Sequence, residues 1–303
     1  MAFQMHSVAP ERGGAMLQIE KILLPVDFSP RSTVAANYAK ALACRYRSEV
    51  TLLHVLSHFD YALGSLEAAA PPPEWYFSRR EDARKRLDQF LAEELRTLPV
   101  RRLVLEGDAA QEIVQLAHAE RMNLIVIPTH GYGPFRRFLL GSVAAKVLHD
   151  ADCPVLTGAH IPEAPPSDLL VRSVVCAVDF GPQSAKALSW AAQMASEFQA
   201  RLTLVHVLPR VDSGDFAVLS EEMTGMLMRQ AREQMAELQA RTGAEGEVLI
   251  DSGDIAQVVR KAVESRQAGL LVIGRHDDIG KRGRMRANVY AIVRESPCPV
   301  VSV

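Results

Sequence analysis

The sequence predicts an α/β protein built from two tandem domains, each with a parallel β-sheet covered by helices on both faces. Two observations support this prediction. Residues 22–56 align with residues 174–208 without a gap, and each half alternates short apolar segments with longer segments of helical periodicity. Strands that alternate with crossover helices form parallel sheets. A chain of 303 residues also has the length expected of two domains.

The internal repeat sets the domain boundaries. Val-Asp-Phe at residues 26–28 recurs at residues 178–180, and both halves close on Cys-Pro-Val, at residues 153–155 and 298–300. Agreement at this many positions indicates a tandem duplication, joined by a proline-rich linker. The predicted parts are an N-terminal tail over 1–16, a first domain over 17–160, a linker over 161–170 and a second domain over 171–303.

The elements of the first half follow from local patterns. Ser29 is placed to cap the first helix, and Pro30 suits its first position. A proline run at residues 71–73 interrupts the chain before a charged amphipathic helix. Predicted strands cover 21–26, 50–56, 100–106, 124–127 and 154–157. Predicted helices cover 30–46, 74–98, a segment after Asp108, and a segment from Ser142.

The second half repeats this order, and two of its features have a structural interpretation. Its second helix, over about 218–242, carries methionines on one side, which we interpret as core packing. His54 and its counterpart His206 each lie inside an apolar strand. A histidine in such a place is usually packed and hydrogen-bonded, so we expect neither to be a metal ligand.

Composition excludes several classes of protein. The net charge of −2 argues against a dedicated nucleic-acid binder, which would carry a basic excess. No apolar run approaches the roughly 20 residues needed to cross a bilayer, so no membrane partner is expected. The four cysteines show no Cys-x-x-Cys pair. We interpret them as reduced thiols in or near the core of a cytoplasmic protein.

The segment over residues 124–142 is the main candidate for a binding site. It joins an apolar strand to a glycine-containing loop and then to a helix that begins after Gly141. This arrangement gathers free backbone N–H groups at the positive end of a helix dipole, which suits an anion such as phosphate. The spacing of Gly131, Gly133 and Gly141 matches neither the Walker A motif nor the Rossmann fingerprint. The alternative is that these glycines only form the turn.

Both halves resemble the universal stress protein family, and the whole chain resembles a tandem two-domain member. The resemblance rests on Pro-Val-Asp-Phe-Ser at residues 25–29, His-Val in the second strand, and the closing Cys-Pro-Val. It implies two Rossmann-like domains of the adenine nucleotide alpha hydrolase type, each a five-stranded parallel sheet of order 3-2-1-4-5. Members that bind ATP carry G-x-x-G-x9-G-S/T. Gly131 and Gly141-Ser142 match the longer part of it, whereas Pro128 replaces the first glycine.

The resemblance also implies roles for individual residues. The triphosphate would lie on Gly131, Gly141, Ser142 and Val143. The adenine would lie between Pro25, Val26, Val50 and Ile127, with Pro128 on the ribose side. Asp27 would face the ribose or an Mg²⁺ ion carried by the nucleotide. The alternative for Asp27 is purely local, since a short carboxylate at a strand end can accept backbone N–H groups of the next turn.

The second half departs further from the motif. Asp277 stands where Gly131 is expected, and Ala287-Asn288 replaces Gly141-Ser142. We therefore predict a degenerate nucleotide site in which Asn288 still caps the helix. The basic run over residues 281–286 is either a second anion site or a solvated loop.

The functional hypothesis is a non-enzymatic, stress-response regulatory protein that binds ATP in its first domain. No nucleophile–base motif is present. The alternatives are a slow Mg²⁺-dependent ATP hydrolase that uses Asp27, and an interaction scaffold that binds no nucleotide. The resemblance implies an intramolecular pseudo-dimer in which residues 155–157 pair with residues 300–302. A homodimer of the whole chain stays open.

Overall fold

The computed structural model describes residues 17–57, 73–129, 140–158, 171–208, 217–275 and 284–303. Within them, strands and helices alternate as predicted. The strands are β1 (Lys21–Pro25), β2 (Glu49–Leu56), β3 (Val100–Glu106), β4 (Leu124–Val126), β5 (Val155–Thr157), β6 (Ser173–Ala177), β7 (Arg201–Leu208), β8 (Glu247–Ser252), β9 (Leu270–Ile273) and β10 (Val300–Ser302). The helices are α1 (Pro30–Tyr46), α2 (Pro73–Gln89), α3 (Ala109–Ala119), α4 (Ser142–Asp150), α5 (Ser184–Glu197), α6 (Ala217–Thr242), α7 (Ile255–Ser265) and α8 (Arg284–Glu295). The tail and the linker fall outside these ranges.

All the strands belong to one ten-stranded sheet of order β3-β2-β1-β4-β5-β10-β9-β6-β7-β8. Each half therefore has the predicted order 3-2-1-4-5. Strands are parallel within a half, and the halves meet where β5 runs antiparallel to β10. Val155 faces Ser302 in the register and Thr157 faces Val300, which confirms the predicted pairing. Because β5 and β10 are antiparallel, the strands of the two halves point in opposite directions. Their carboxyl ends therefore lie at opposite ends of the sheet along the strand direction.

Two apolar cores cover the two faces of the sheet. One includes residues of α1, α2, α5 and α6, and the other residues of α3, α4, α7 and α8. Both cores extend across the junction. The Tyr290 hydroxyl of α8 donates to the Ala145 carbonyl of α4 at 3.2 Å, and Arg45 of α1 pairs with Glu197 of α5. Strands β4, β5, β9 and β10 are buried along their whole length, as strands covered on both faces should be.

Local signals explain where α1 begins. Ser29 has extended backbone geometry and its hydroxyl accepts a hydrogen bond from the Ser32 N–H at 3.3 Å, and Pro30 occupies the first turn. These features confirm the predicted cap. The helix ends at Tyr46, and its C-cap, Arg47, has a φ of 57° in the left-handed region.

Helix α2 is shorter than predicted. It ends at Gln89 instead of extending to residue 98. Leu91 has a φ of 51°, which a continuing right-handed helix does not allow. The next residues form turns that bury Leu95, at 2% exposure, in the core. The amphipathic pattern persists past the helix because these turns still face the sheet.

The methionine stripe of α6 is only partly core. Met235 is fully buried, but Met223 and Met226 are 47% and 52% exposed, so the sequence interpretation is wrong for the N-terminal part. The helix has 26 residues, a length of about 39 Å. Strand β7 has 8 residues and spans about 26 Å, so the first turns of α6 extend beyond it. Among the residues described, no helix combines the length and the apolar character that a membrane crossing requires.

Candidate functional site

A cavity of about 280 Å³ opens at the carboxyl ends of β1 and β4. The strand order reverses between these two strands, and ligands of open parallel sheets bind at such reversals. Its size is close to the lower end of the roughly 300–1,000 Å³ typical of ligand pockets. The cavity is lined by Pro25, Val26, Asp27, Ser32, Leu53, His54, Val55, Ala109, Ile113, Ile127, Pro128, Thr129, Gly141, Ser142, Val143 and Ala144.

One end of the cavity is the N-terminus of α4. Gly141 is the N-cap; its N–H donates to the Thr129 carbonyl at 2.7 Å and its carbonyl accepts from the Ala145 N–H at 2.8 Å. Glycine offers no side-chain cap, so the N–H groups of the first helical turn, from Ser142 onwards, have no partner inside the helix. These donors and the helix dipole make this end of the cavity attractive to an anion.

The other end presents an apolar slot with one polar edge. Val26 and Ile127 are buried there. The Leu53 carbonyl accepts from Val26 of β1 at 2.8 Å, whereas the Leu56 carbonyl accepts from Gly107 beyond β3. Backbone groups along a strand face its two neighbours alternately. The N–H and C=O of Val55 therefore point toward the place where β1 has already ended, and they supply one donor and one acceptor to the cavity.

Asp27 forms a local turn at the rim. Its Oδ1 accepts from the Ser29 N–H at 3.0 Å and from the Ser32 hydroxyl at 2.6 Å. Asp179 repeats this in the second half, where it accepts from the Gly181 N–H at 2.8 Å and the Ser184 hydroxyl at 2.8 Å. The local role weighed for Asp27 is thus present in both halves, and in Asp27 both of these bonds go to one carboxylate oxygen, Oδ1. No cluster of His, Cys, Asp or Glu among the described residues has the makeup of a metal site.

His54 supports the wall of the cavity. Its Nδ1 lies 2.8 Å from the Val26 carbonyl, which can only accept, so Nδ1 carries the proton. The ring packs on Phe28 with centroids 4.5 Å apart, and Phe28 in turn contacts Arg86 and Phe90 of the α2 region. Phe28 adopts a φ of 61°, which is rare for a bulky residue. The histidine is therefore packed and hydrogen-bonded, as the sequence indicated.

The second half contains a matching cavity of about 210 Å³ at the ends of β6 and β9. Its lining repeats much of that of the first cavity, with Val178, Asp179, His206, Val207 and Ile273 in place of Val26, Asp27, His54, Val55 and Ile127. The smaller volume has a visible cause, because Ile255 of α7 stands where the first half has Ala109 of α3.

The two cavities differ in where the adjoining helix starts. Helix α4 begins at Ser142, but α8 begins at Arg284, a full turn before the matching residue Asn288. Asn288 is therefore inside the helix, and the prediction that it caps the helix is wrong. The N–H groups of Asn288 and Val289 are used in i→i−4 bonds within α8. Of the described residues that line the second cavity, Asn288 and Val289 thus offer no free helical N–H group.

Comparison with known proteins places the chain in a family. The family model described as "Universal stress protein family" matches residues 18–157 and again residues 171–303. The chain belongs to the universal stress protein family. It is a tandem member with two such domains, as its repeat indicated.

Individual relatives agree with this placement. A universal stress protein of Methanocaldococcus jannaschii is 35% identical over 141 residues, 45% of this chain and 80% of that protein. One of Mycolicibacterium smegmatis is 25% identical over 291 residues, 93% of this chain and 96% of the other. The crystal structure of a universal stress protein from Archaeoglobus fulgidus shares the fold, with a TM-score of 0.67 and 23% identity over 95% of this chain and 97% of that one.

In this universal stress protein, most of the residues singled out from the sequence meet at one cavity. Pro25, Val26, Asp27, Ile127, Pro128, Gly141, Ser142 and Val143 all line it. Gly131 lies outside the described residues. Val50 does not line the cavity: it is fully buried near the start of β2, paired with Ile22 and Val100, whereas the cavity lies at the carboxyl end. Val55 lines it instead, and sequence analysis missed this residue.

The residue that replaces the first glycine of the motif, Pro128, lines the cavity. The matching residue in the second half is Gly274, whose φ is outside the left-handed region. A Cβ added there would lie 3.6 Å from the Gln183 Cβ, which is an ordinary contact. In the second half, this position would therefore accommodate a Cβ.

Proposed function

We propose that the chain binds ATP, or another adenine nucleotide, in its first domain and acts as a stress-response regulatory protein through the bound and free forms. The observation that carries this proposal is the pairing, in one cavity, of an apolar slot with a bare helix N-terminus. A base suits the slot, and a phosphate chain suits the N–H groups of α4.

The residues present fit an adenine nucleotide. The walls formed by Val26 and Ile127 would enclose the faces of the base, and the Val55 N–H and C=O match the adjacent acceptor and donor on its amino edge. Ser142 would add its hydroxyl to the backbone donors around the phosphates. The second carboxylate oxygen of Asp27 is not used by the local turn and would contact the ribose or an Mg²⁺ ion. Mg²⁺ commonly binds one carboxylate together with substrate phosphates.

The decisive experiment is a calorimetric titration of ATP with Mg²⁺ into nucleotide-free protein. We expect one site per chain in the wild type. Gly141→Asp places a carboxylate at the helix start, whereas Gly141→Asn adds the same shape without the charge. Both residues are good N-caps, and Gly141 has a φ of −62°, so both variants should fold. We expect Gly141→Asp to abolish ATP binding and Gly141→Asn to weaken it less, since an Asn cap takes up the same N–H groups but adds no charge.

The alternatives predict other results. An interaction scaffold gives no heat in the wild type. A slow ATP hydrolase gives a steady release of phosphate that depends on Mg²⁺ and is lost in Asp27→Asn while ATP still binds. Equal loss in both Gly141 variants would show that occupation of the N–H groups, and not charge, sets the effect. Unchanged ATP affinity in Gly141→Asp would contradict a phosphate site at the start of α4.

A further inference from the structure

The second cavity keeps the apolar half of the site. Val178 and Ile273 are buried in its walls at 4% and 3% exposure, like their counterparts in the first half. The Val205 carbonyl accepts from the Val178 N–H at 2.8 Å, and the Leu208 carbonyl accepts from the Gly253 N–H. Because the backbone groups along a strand face its two neighbours in turn, the N–H and C=O of Val207 point toward the end of β6 and into the cavity. A planar ring with a donor–acceptor edge fits here as it does in the first half.

Among the residues that the structure describes, the same cavity lacks the free helical N–H groups that the first cavity offers to an anion. The N–H groups beside it are consumed within α8, which begins at Arg284. His206 adds no positive charge, because burial lowers the pKa of its ring, although its bond to the Val178 carbonyl opposes this effect. Asp179 lies at the rim as Asp27 does in the first half, so the carboxylate does not distinguish the two cavities. A phosphate placed beside Asn288 and Val289 would meet N–H groups that are already bonded within α8.

We propose that the second cavity binds an uncharged planar heterocycle of the nucleoside class and rejects its phosphorylated forms. This site is separate from the ATP site proposed for the first domain, and the two lie at opposite ends of the sheet along the strand direction. The reduced volume of about 210 Å³ agrees with a smaller ligand. The chain would then sense two related molecules, a nucleotide in one half and a nucleoside in the other.

A matched pair of variants tests the proposal with the full chain. Val143 of α4 and Val289 of α8 line the first and second cavities at corresponding positions. Replacing either residue by tryptophan should fill its own cavity. The probes are adenosine and ATP with Mg²⁺, titrated by calorimetry into Val143→Trp and into the double variant Val143→Trp/Val289→Trp.

We expect adenosine to bind Val143→Trp at one site per chain, with ATP at least tenfold weaker there, and we expect no adenosine binding to the double variant. Failure of adenosine to bind Val143→Trp, equal binding of ATP and adenosine there, or unchanged adenosine binding to the double variant would each overturn the proposal.

If a tryptophan variant does not fold, adenosine titrated into wild-type protein saturated with ATP serves instead. One remaining adenosine site is then expected, and no remaining site would contradict the proposal.

These outcomes separate this proposal from the ATP proposal. If ATP does not bind to the wild type or to Val289→Trp, the function proposed for the first domain fails. Adenosine binding to Val143→Trp still tests the second cavity in that case, because the first cavity is filled in that variant.

Discussion

The two halves of the chain share a cavity but differ in the helix that borders it. The apolar walls, the backbone edge at Val55 or Val207, and the local turn at Asp27 or Asp179 are present in both. The helix beside the cavity starts at Ser142 in the first half and a turn earlier, at Arg284, in the second. The start of one helix therefore decides whether such a cavity offers N–H donors to an anion.

A single position accounts for much of this difference. Gly141 stands outside α4 as its N-cap, whereas the matching Ala287 is within α8. Alanine favours the helix interior over glycine by about 1 kcal/mol. Once the helix continues upstream, its i→i−4 bonds use the N–H groups that would otherwise face the cavity.

The largest expected effect comes from Gly141→Ala. This change should let α4 extend by a turn and should weaken ATP binding at least tenfold, because the free N–H groups are then bonded within the helix. Calorimetry measures the affinity, and hydrogen exchange at residues 142–144 measures the new protection. In the matched variant Ala287→Gly, ATP affinity of the first cavity should stay within about twofold. An unchanged ATP affinity in Gly141→Ala would show that the start of the helix does not set the difference between the two cavities.

Loss of the aromatic ring beside the cavity should cost less, and more in the first half than in the second. Phe28 packs on His54, Phe90 and Arg86, whereas Phe180 packs on His206 among the residues the structure describes. We expect Phe28→Ala to lower the free energy of unfolding by about 3 kcal/mol and Phe180→Ala by about 2 kcal/mol.

Urea denaturation of the two phenylalanine variants provides this measurement. Phe28→Leu is the control, since it retains apolar volume but removes the ring contacts. If Phe180→Ala proves as costly as Phe28→Ala, the extra contacts with α2 contribute nothing to stability.

A smaller effect is expected at a charge pair that the halves carry in opposite orientation. Arg101 of β3 pairs with Glu120 after α3, whereas Glu247 of β8 pairs with Arg266 after α7. Glu120→Arg should destabilise the protein by about 1 kcal/mol, because it loses the pair and creates like charges. The double variant Arg101→Glu/Glu120→Arg should recover to within about 0.5 kcal/mol, since the second half already accommodates that orientation. Thermal unfolding of the wild type, the single variant and the double variant would measure both the loss and the recovery of stability.

The smallest effect is expected for the cysteines, which should differ in the rate at which a thiol reagent labels them, without a change in stability. Burial raises the pKa of Cys153 and Cys298 to about 11 and that of Cys176 to about 12. Their thiolate fractions are therefore negligible near pH 8, and access is limited. Cys44 is exposed, unlike the sequence interpretation that placed all four in or near the core. A thiol reagent should label one cysteine quickly in the folded protein and none quickly in Cys44→Ser.

The fold was predictable from the sequence because its signals are local and repeated. Buried strands such as β4 and β10 are short apolar runs, and the Ser29-Pro30 pair marks a helix start. The internal repeat provides a second copy of each signal. Strand order required the family resemblance, since no local pattern states which strands are neighbours.

The details of the candidate site were less accessible. Val50 and Val55 are the same residue type in the same strand, β2. Only the point at which β1 ends in the folded chain decides that Val55, and not Val50, lines the cavity. The start of α8 depends on whether Ala287 joins the helix, a choice of about 1 kcal/mol that the neighbouring residues decide. The end of α2 depends on a left-handed residue, Leu91, for which the sequence gives no signal.

The antiparallel pairing of β5 with β10 joins the two halves inside one polypeptide. A dimer of separate domains dissociates on dilution, whereas here each half meets its partner at a fixed, high effective concentration. A symmetric dimer also carries every substitution twice, once in each subunit. In a fused pair one cavity can change while the other is kept, so covalent linkage frees each half to acquire its own ligand.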